Sequence, residues 1–257
     1  MVEWENAAIV LRTVPYGETS LLVHLLTQEH GVWRGLVRGG MSRRQSAIWQ
    51  VGTILAARWK ARLPENLGTF TGEAVRSCAA SLMEAPLGLA LLSSACALCS
   101  EALAEKEAHP ALFSELVRLL SEVSVSPEAP PIASYIRWEA FLLQALGYGL
   151  DLTRCAVTGE REKLIYVSPR TGRAVSENGA GEWRDRLLPL PPFLRDDSEG
   201  DPVQWCEGVR LTGYFLERAA FASHHKPLPS ARERFVTLLE RHEEVTGRAG
   251  QTLPEHG

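Results

Sequence analysis

The apolar and polar positions change rhythm once along the chain, near residue 80. Before that point the apolar runs are short and separated by turn residues. Ala7–Val14 (AAIVLRTV) is rich in β-branched and apolar side chains, and Pro15-Tyr-Gly-Glu-Thr-Ser20 supplies Pro and Gly for a turn. Leu21–Thr27 (LLVHLLT) follows, His30-Gly31 breaks it, and Val32–Arg38 (VWRGLVR) forms a third run. Gly39-Gly40 ends that run and leads into a polar, basic loop, Met41-Ser-Arg-Arg44. Gly52–Arg62 and Gly68–Val75 complete the set. Five short strands joined by Gly-rich turns suit a small closed barrel, and the five-stranded oligonucleotide-binding (OB) barrel is the natural candidate for residues 1–80.

After Ser81 the period becomes helical. Pro86–Ala108 is rich in Ala and Leu. Pro110 opens a second helix over Ala111–Val123, whose Leu112, Phe113, Leu116, Val117 and Leu120 share a face. Ser124–Pro131 reads as a Pro-rich linker, and Ile132–Leu146 as a third helix stopped by Gly147 and Gly149. Helical periodicity is absent from about 151 to 205, where short hairpins are expected. It returns at Val209–Ala222 and again from Ser230, where Ser-Ala-Arg-Glu233 looks like a capping box, through His242. The tail from Gly247 is expected to fray. The fold class read from this pattern is α+β. An N-terminal five-stranded OB barrel (1–80) precedes a mainly helical C-terminal domain (81–257) that carries an irregular insertion.

Strand parity gives the barrel a chemical direction. Arg58, Lys60 and Arg62 are two apart and share one face of a strand, while Trp59 points the other way. Arg34 and Arg38 share parity with Leu36 between them, and Trp33 faces opposite. The cations therefore face a ligand, and the tryptophans belong more naturally to the core. Charge sharpens this picture. From His30 to Pro64 the chain has seven positive residues, Arg34, Arg38, Arg43, Arg44, Arg58, Lys60 and Arg62, and no acidic one. Residues 1–80 hold nine Lys/Arg against six Glu, a surplus of +3, although the whole chain carries a formal −4. A solvated surface mixes its signs, so a segregated run indicates an anionic partner. Phosphates with stackable bases fit best.

Composition excludes several classes. With 45% apolar and 23% charged residues over 257 positions the chain can bury a core, and it is too apolar for disorder. No apolar run reaches the roughly 18 residues of a membrane span. The acidic start Met1-Val-Glu-Trp-Glu5 lacks the features of a signal peptide, so a cytoplasmic protein with reduced cysteines is expected. Neither a P-loop nor a dinucleotide fingerprint occurs, and there is no GxSxG, no HExxH and no carboxylate cluster, so no enzyme is expected. Cys96-Ala-Leu-Cys99 has CxxC spacing inside an Ala/Leu helix and reads as two buried thiols. Cys155-Ala-Val-Thr158 offers one thiol where a zinc ribbon needs two, and no metal or other cofactor is expected. His224-His225-Lys226 is a tempting metal pair, but adjacent histidines on a helix end point in different directions.

Several motifs, in order, carry a resemblance. They are Tyr16-Gly-Glu-Thr-Ser20, Thr27-Gln-Glu-His-Gly31, Leu36-Val-Arg-Gly-Gly-Met-Ser-Arg-Arg44, Leu146-Gly-Tyr-Gly-Leu-Asp-Leu-Thr-Arg-Cys155 and Lys226-Pro-Leu-Pro-Ser-Ala-Arg232. Together they resemble the RecO recombination mediators over essentially the whole chain. The resemblance implies an OB barrel, a helical body and a small zinc-ribbon-like insertion, metal-free here because only Cys155 remains. It implies binding to single- and double-stranded DNA, annealing of complementary strands, and help in loading the RecA recombinase onto strands coated by single-strand-binding protein. The implied partners are RecR and the acidic C-terminal tail of single-strand-binding protein, the latter at Arg137 in Tyr135-Ile-Arg-Trp-Glu139. DNA would meet Arg34, Arg38, Arg43, Arg44, Arg58, Lys60 and Arg62. Composition alone leaves an RNA-binding OB protein, a nuclease with the barrel as clamp, and a scaffold acting through its acidic helical body as alternatives.

Overall fold

β-branched runs, glycines at turns and a late shift to helical period build two compact units, Met1–Pro131 and Ile132–Gly257, in the computed structural model. It describes residues 1–222 and 225–250, with side chains through Thr246. The first unit begins with β1 (Val2–Tyr16), β2 (Ser20–Thr27), β3 (Gly31–Val37), β4 (Thr53–Ala61) and β5 (Thr69–Ser77). These close on themselves in the order β1-β2-β3-β5-β4. The long β1 makes this possible by pairing with β4 through its first half and with β2 through its second. The seam is the parallel contact Leu36↔Thr69, where the Leu36 amide donates to the Gly68 carbonyl at 3.1 Å.

Alternation fills the inside. Ala8, Val10, Val23, Leu25, Val37, Leu55, Trp59 and Phe70 form one buried cluster, with Trp4 and Trp33 packed against it. β1 starts earlier than its apolar run because Glu3 and Glu5 alternate with Trp4 and pair across to β4. The basic loop expected at Met41–Arg44 is in part a short helix, α1 (Arg43–Ile48), which buries none of its residues and so left no apolar period to read. Trp49 follows α1 into the barrel core, and its Nε1 donates to Gln45 Oε1 at 3.0 Å.

Ile9, Leu26 and Val32 lie opposite one another on β1, β2 and β3 with the parity that faces out of the barrel. They are buried all the same, because α2 (Pro86–Ala102) packs against β1 and β2. α2 ends at Ala102, short of Ala108. The chain then runs extended beside β3, where Glu105 bridges Val32 and the Lys106 amide donates to the Val32 carbonyl at 2.9 Å. Only glycine allows this approach at position 31. Its φ is +68°, and a Cβ there would stand 1.9 Å from the Glu107 carbonyl oxygen. α3 (Pro110–Val125) completes the unit. The change from strand to helix falls near residue 80 as the pattern suggests, while the compact division comes only after Pro131.

The second unit is built from α4 (Ile132–Ala145), α5 (Glu177–Ala180), α6 (Pro202–Phe215) and α7 (Ser230–Gly250), with a π turn at Leu216–Phe221. A small sheet, β7-β6-β8, comes from β6 (Leu164–Val167), β7 (Ala174–Ser176) and β8 (Leu188–Pro189). α7 continues past His242, the end suggested by the sequence, to Gly250; residues 251–257 of the expected fraying tail lie outside the described residues. His224 of the histidine pair lies outside them as well.

The helices of this unit are joined by a buried polar cluster. Arg232 on α7 donates from Nε to Glu139 Oε1 at 2.7 Å and from Nη2 to Glu139 Oε2 at 2.9 Å. The Tyr135 hydroxyl donates to Oε1 at 2.5 Å, and the Thr212 hydroxyl on α6 donates to Oε2. Every lone pair that matters on the carboxylate is thus occupied, as a fully buried charge requires. Gly213 makes room for it, since a Cβ there would come within 2.8 Å of the Arg232 guanidinium.

Candidate nucleic-acid interface

β1, β2 and β3 present rows of side chains to the outside, set by register. Next to the buried row under α2 stands Arg12–His24–Arg34, one residue from each strand. Beyond it lies the half-buried apolar row Val14–Leu22–Leu36. A bulge at Leu11 makes the first row possible. The pairing slips between Val10 and Arg12, so Val10 points into the core and Arg12 points out. Arg38 continues the same parity past the end of β3, and Arg43 and Arg44 stand on α1 just beyond it. The Met41 amide ties this stretch to the β1–β2 turn by donating to the Thr19 carbonyl at 3.0 Å. Tyr16, at that turn, is 54% exposed and is the exposed aromatic ring among the described residues of this unit.

The seven cations read from the sequence fall into two groups. Arg34, Arg58 and Lys60 are ion-paired. Arg34 Nε lies 2.6 Å from Glu105 Oε1, Arg58 meets Glu3 and Glu5, and Lys60 Nζ lies 4.0 Å from Glu3. The run from His30 to Pro64 is free of acids in sequence but not in space. Antiparallel register sets Glu3 opposite Lys60 and Glu5 opposite Arg58. Arg38, Arg43, Arg44 and Arg62 are exposed, and among the described residues their side chains make no ion pair.

The tryptophans are not free platforms. Trp59 and Trp49 are 0% and 1% exposed. Trp4 and Trp33 are half-buried, stand edge to face at 5.6 Å, and the Lys106 ammonium covers the Trp33 ring at 4.8 Å. The four rings thus pack in or against the barrel core, the side to which strand parity assigns Trp33 and Trp59.

Two residues of this face were missed by sequence reading, Arg12 and His24. Arg12 lies outside the acid-free run, and only the bulge and the cross-strand register bring it level with Arg34. His24 looked like one polar residue in an apolar strand. Burial, then the neighbouring Arg34 and Arg12 guanidiniums, hold its imidazole below the ordinary value, against a weaker upward pull from Glu105.

Arg137 on α4 is half-buried and engaged within its own unit. Its Nε donates to the Phe193 carbonyl at 2.9 Å and its Nη2 to the carbonyls of Asp196 and Ser198. Its guanidinium also lies over the Phe193 ring at 5.7 Å. At Cys155, the amides of Val157, Thr158 and Ser176 and the Ser176 hydroxyl all donate to Sγ, at 3.2–3.4 Å. Burial pushes this thiol up, but the Ser176 and Thr158 donors outweigh it and bring the value down to about 6. No group of three or more His, Cys, Asp or Glu able to hold a metal occurs among the described residues, and none of the described helices is long and apolar enough to cross a membrane.

Comparison with known sequences settles the family. The family model "Recombination protein O N terminal" matches residues 1–78, and "Recombination protein O C terminal" matches residues 83–228. The chain belongs to the RecO family of DNA repair and recombination proteins. A DNA repair protein RecO from Gluconacetobacter diazotrophicus is 51% identical over 243 residues, covering 93% of this chain and 96% of the relative. Those from Granulibacter bethesdensis and Rhodospirillum centenum are 49% and 48% identical, covering 95% and 96% of this chain and 99% and 98% of their own. The N-terminal RecO match spans the whole barrel, and the C-terminal match spans α2 to the π turn.

Proposed function

We propose that the chain is a DNA-binding recombination mediator. It binds single and double strands through the barrel, anneals complementary strands, and helps load RecA onto DNA coated by single-strand-binding protein, together with RecR. In this reading residues 1–80 are an OB domain and 81–257 a helical domain whose 151–205 segment is a metal-free counterpart of a zinc ribbon. The observation that carries the proposal is the set of exposed arginines without an ion pair among the described residues, Arg38, Arg43 and Arg44 after β3 and Arg62 after β4. The closed order β1-β2-β3-β5-β4 supports the OB reading, and an OB barrel binds oligonucleotides on its second and third strands and between its β1–β2 and β4–β5 loops. Arg38 and Arg62 stand beside those two loops. Tyr16 offers one ring for stacking, so phosphate contact dominates and the binding is not selective for sequence.

Annealing then needs no covalent chemistry. Guanidiniums on one face neutralise phosphates of two strands and lower their repulsion, so that complements pair. The acidic tail of single-strand-binding protein would meet Arg137 through what remains of a guanidinium whose Nε and Nη2 already hold the 193–198 turn. An annealing assay with strands precoated by single-strand-binding protein, with and without its acidic tail, tests this function. Acceleration that depends on the tail is expected. Failure of the chain to anneal naked strands as well would overturn it.

A further inference from the structure

We propose that the cross-strand row Arg12–His24–Arg34 is a seat for one backbone phosphate, that Glu105 occupies Arg34 in its place when DNA is absent, and that seating the phosphate takes up a proton at His24. This rests on the nucleic-acid reading above and adds to it a residue set, an internal competitor and a pH dependence.

The geometry comes from register. Arg12 is opposite His24, and His24 is opposite Arg34, all with outward parity. Residues directly opposite on neighbouring strands have side chains in contact range. Two strand spacings, about 10 Å, separate the arginines, a gap that guanidiniums on three-methylene stems can close over the middle strand once Arg34 leaves Glu105. Both forks would then meet one phosphate above the imidazole, the bidentate geometry that favours arginine at phosphates. Arg12 makes no ion pair among the described residues. Arg34 holds the carboxylate of Glu105 at 2.6 Å, an anionic oxygen where a phosphate oxygen would sit.

Glu105 is placed there by backbone. The segment after α2 pairs with β3 at Val32, and Gly31 lets it come close. Its carboxylate remains 42% exposed, so it leaves for water at little cost. The charged groups acting on His24 are Arg34 on β3, Arg12 on β1 and Glu105 on this segment. Burial and then the two cations hold the imidazole below its ordinary value in the free protein. A phosphodiester on the row adds an anion beside it, and the imidazolium becomes a third donor to the non-bridging oxygens. The proton comes from solvent. The value for the bound state therefore lies above that for the free state. Affinity rises as pH falls through the bound value and levels off below the free one.

The test is fluorescence anisotropy of labelled oligothymidine with the full chain, at fixed salt, from about pH 5 to about pH 8. The wild type is expected to bind more tightly as pH falls, by about tenfold for each unit that the phosphate raises the imidazole. His24→Gln should flatten that gain, and Glu105→Gln should raise affinity at every pH by up to about fivefold. The His24 ring C–H signal, followed by NMR with and without oligothymidine, reads the same proton without a substitution and should titrate at higher pH in the complex. Parallel pH profiles for wild type and His24→Gln, or an unmoved His24 titration, overturn the coupling while leaving DNA binding intact. Absence of binding by the wild type at any pH overturns the reading on which it stands.

Discussion

Each of the two units holds an Arg–Glu pair of almost the same length. Arg34 meets Glu105 at 2.6 Å with side chains 47% and 42% exposed; Arg232 meets Glu139 at 2.7 Å with side chains 5% and 0% exposed. Their chemistry is the same and their consequences are opposite. The first pair lies in water, where attraction is screened and holding two long side chains costs entropy, so it is worth about 0–1 kcal/mol. Its arginine is available for exchange with another anion. The second is desolvated on all sides, bidentate, and completed by Tyr135 and Thr212. Its arginine has no route to a partner outside the chain. Distance says nothing of this difference. Solvent exposure separates an arginine that can function from one that only holds helices together.

Glu139→Ala leaves a buried guanidinium uncompensated and should cost about 3–5 kcal/mol, read from urea denaturation of the full chain. The double variant Glu139→Leu with Arg232→Met should recover much of that loss, because both charges go together. A single variant as stable as the wild type would mean that the pair is not buried as described. Next in size, Arg43→Glu with Arg44→Glu should weaken binding to every DNA sequence by on the order of tenfold or more at moderate salt, with little change in stability. A loss confined to particular sequences would contradict backbone contact. Smaller again, Glu3→Gln with Glu5→Gln should free Arg58 and Lys60 and raise affinity a few-fold, while urea midpoints move by the equivalent of under about 1 kcal/mol.

Cys155 adds a pH dependence of stability. Its folded value, about 6, lies below the ordinary 9.0. The stability it contributes is fully present above the unfolded value and is lost as pH falls through about 6. The difference in urea midpoint between wild type and Cys155→Ala should therefore be larger at alkaline than at mildly acidic pH. A difference that is constant with pH would show that the donors around Sγ do not favour the thiolate.

Much of the barrel could be read from sequence because its strands alternate and its turns carry glycine. Parity alone set Trp59 and Trp33 inward and Arg34, Arg58 and Lys60 outward. What could not be read depended on neighbours distant in sequence. Glu3 and Glu5 reach Lys60 and Arg58 only through the β1–β4 register. Glu105 reaches Arg34 only because Gly31 admits a segment some seventy residues away. Arg12 joins the outward row of His24 and Arg34 through one extra residue, Leu11, that shifts the alternation. The α1 helix escaped notice because it buries nothing. Arg232 carried part of the family resemblance, yet its position before a helix gave no sign that its partner was Glu139, ninety-three residues back.

The most direct test of the central claim is the salt dependence of oligothymidine binding by the full chain, compared with a variant in which Arg38, Arg43, Arg44 and Arg62 are all changed to Gln. If these exposed arginines meet phosphates while Arg232 and its kind do not, the wild-type slope of log affinity against log salt should be about −3 to −5, and the variant should lose about 3 of that. A slope that the four substitutions leave unchanged would contradict the account.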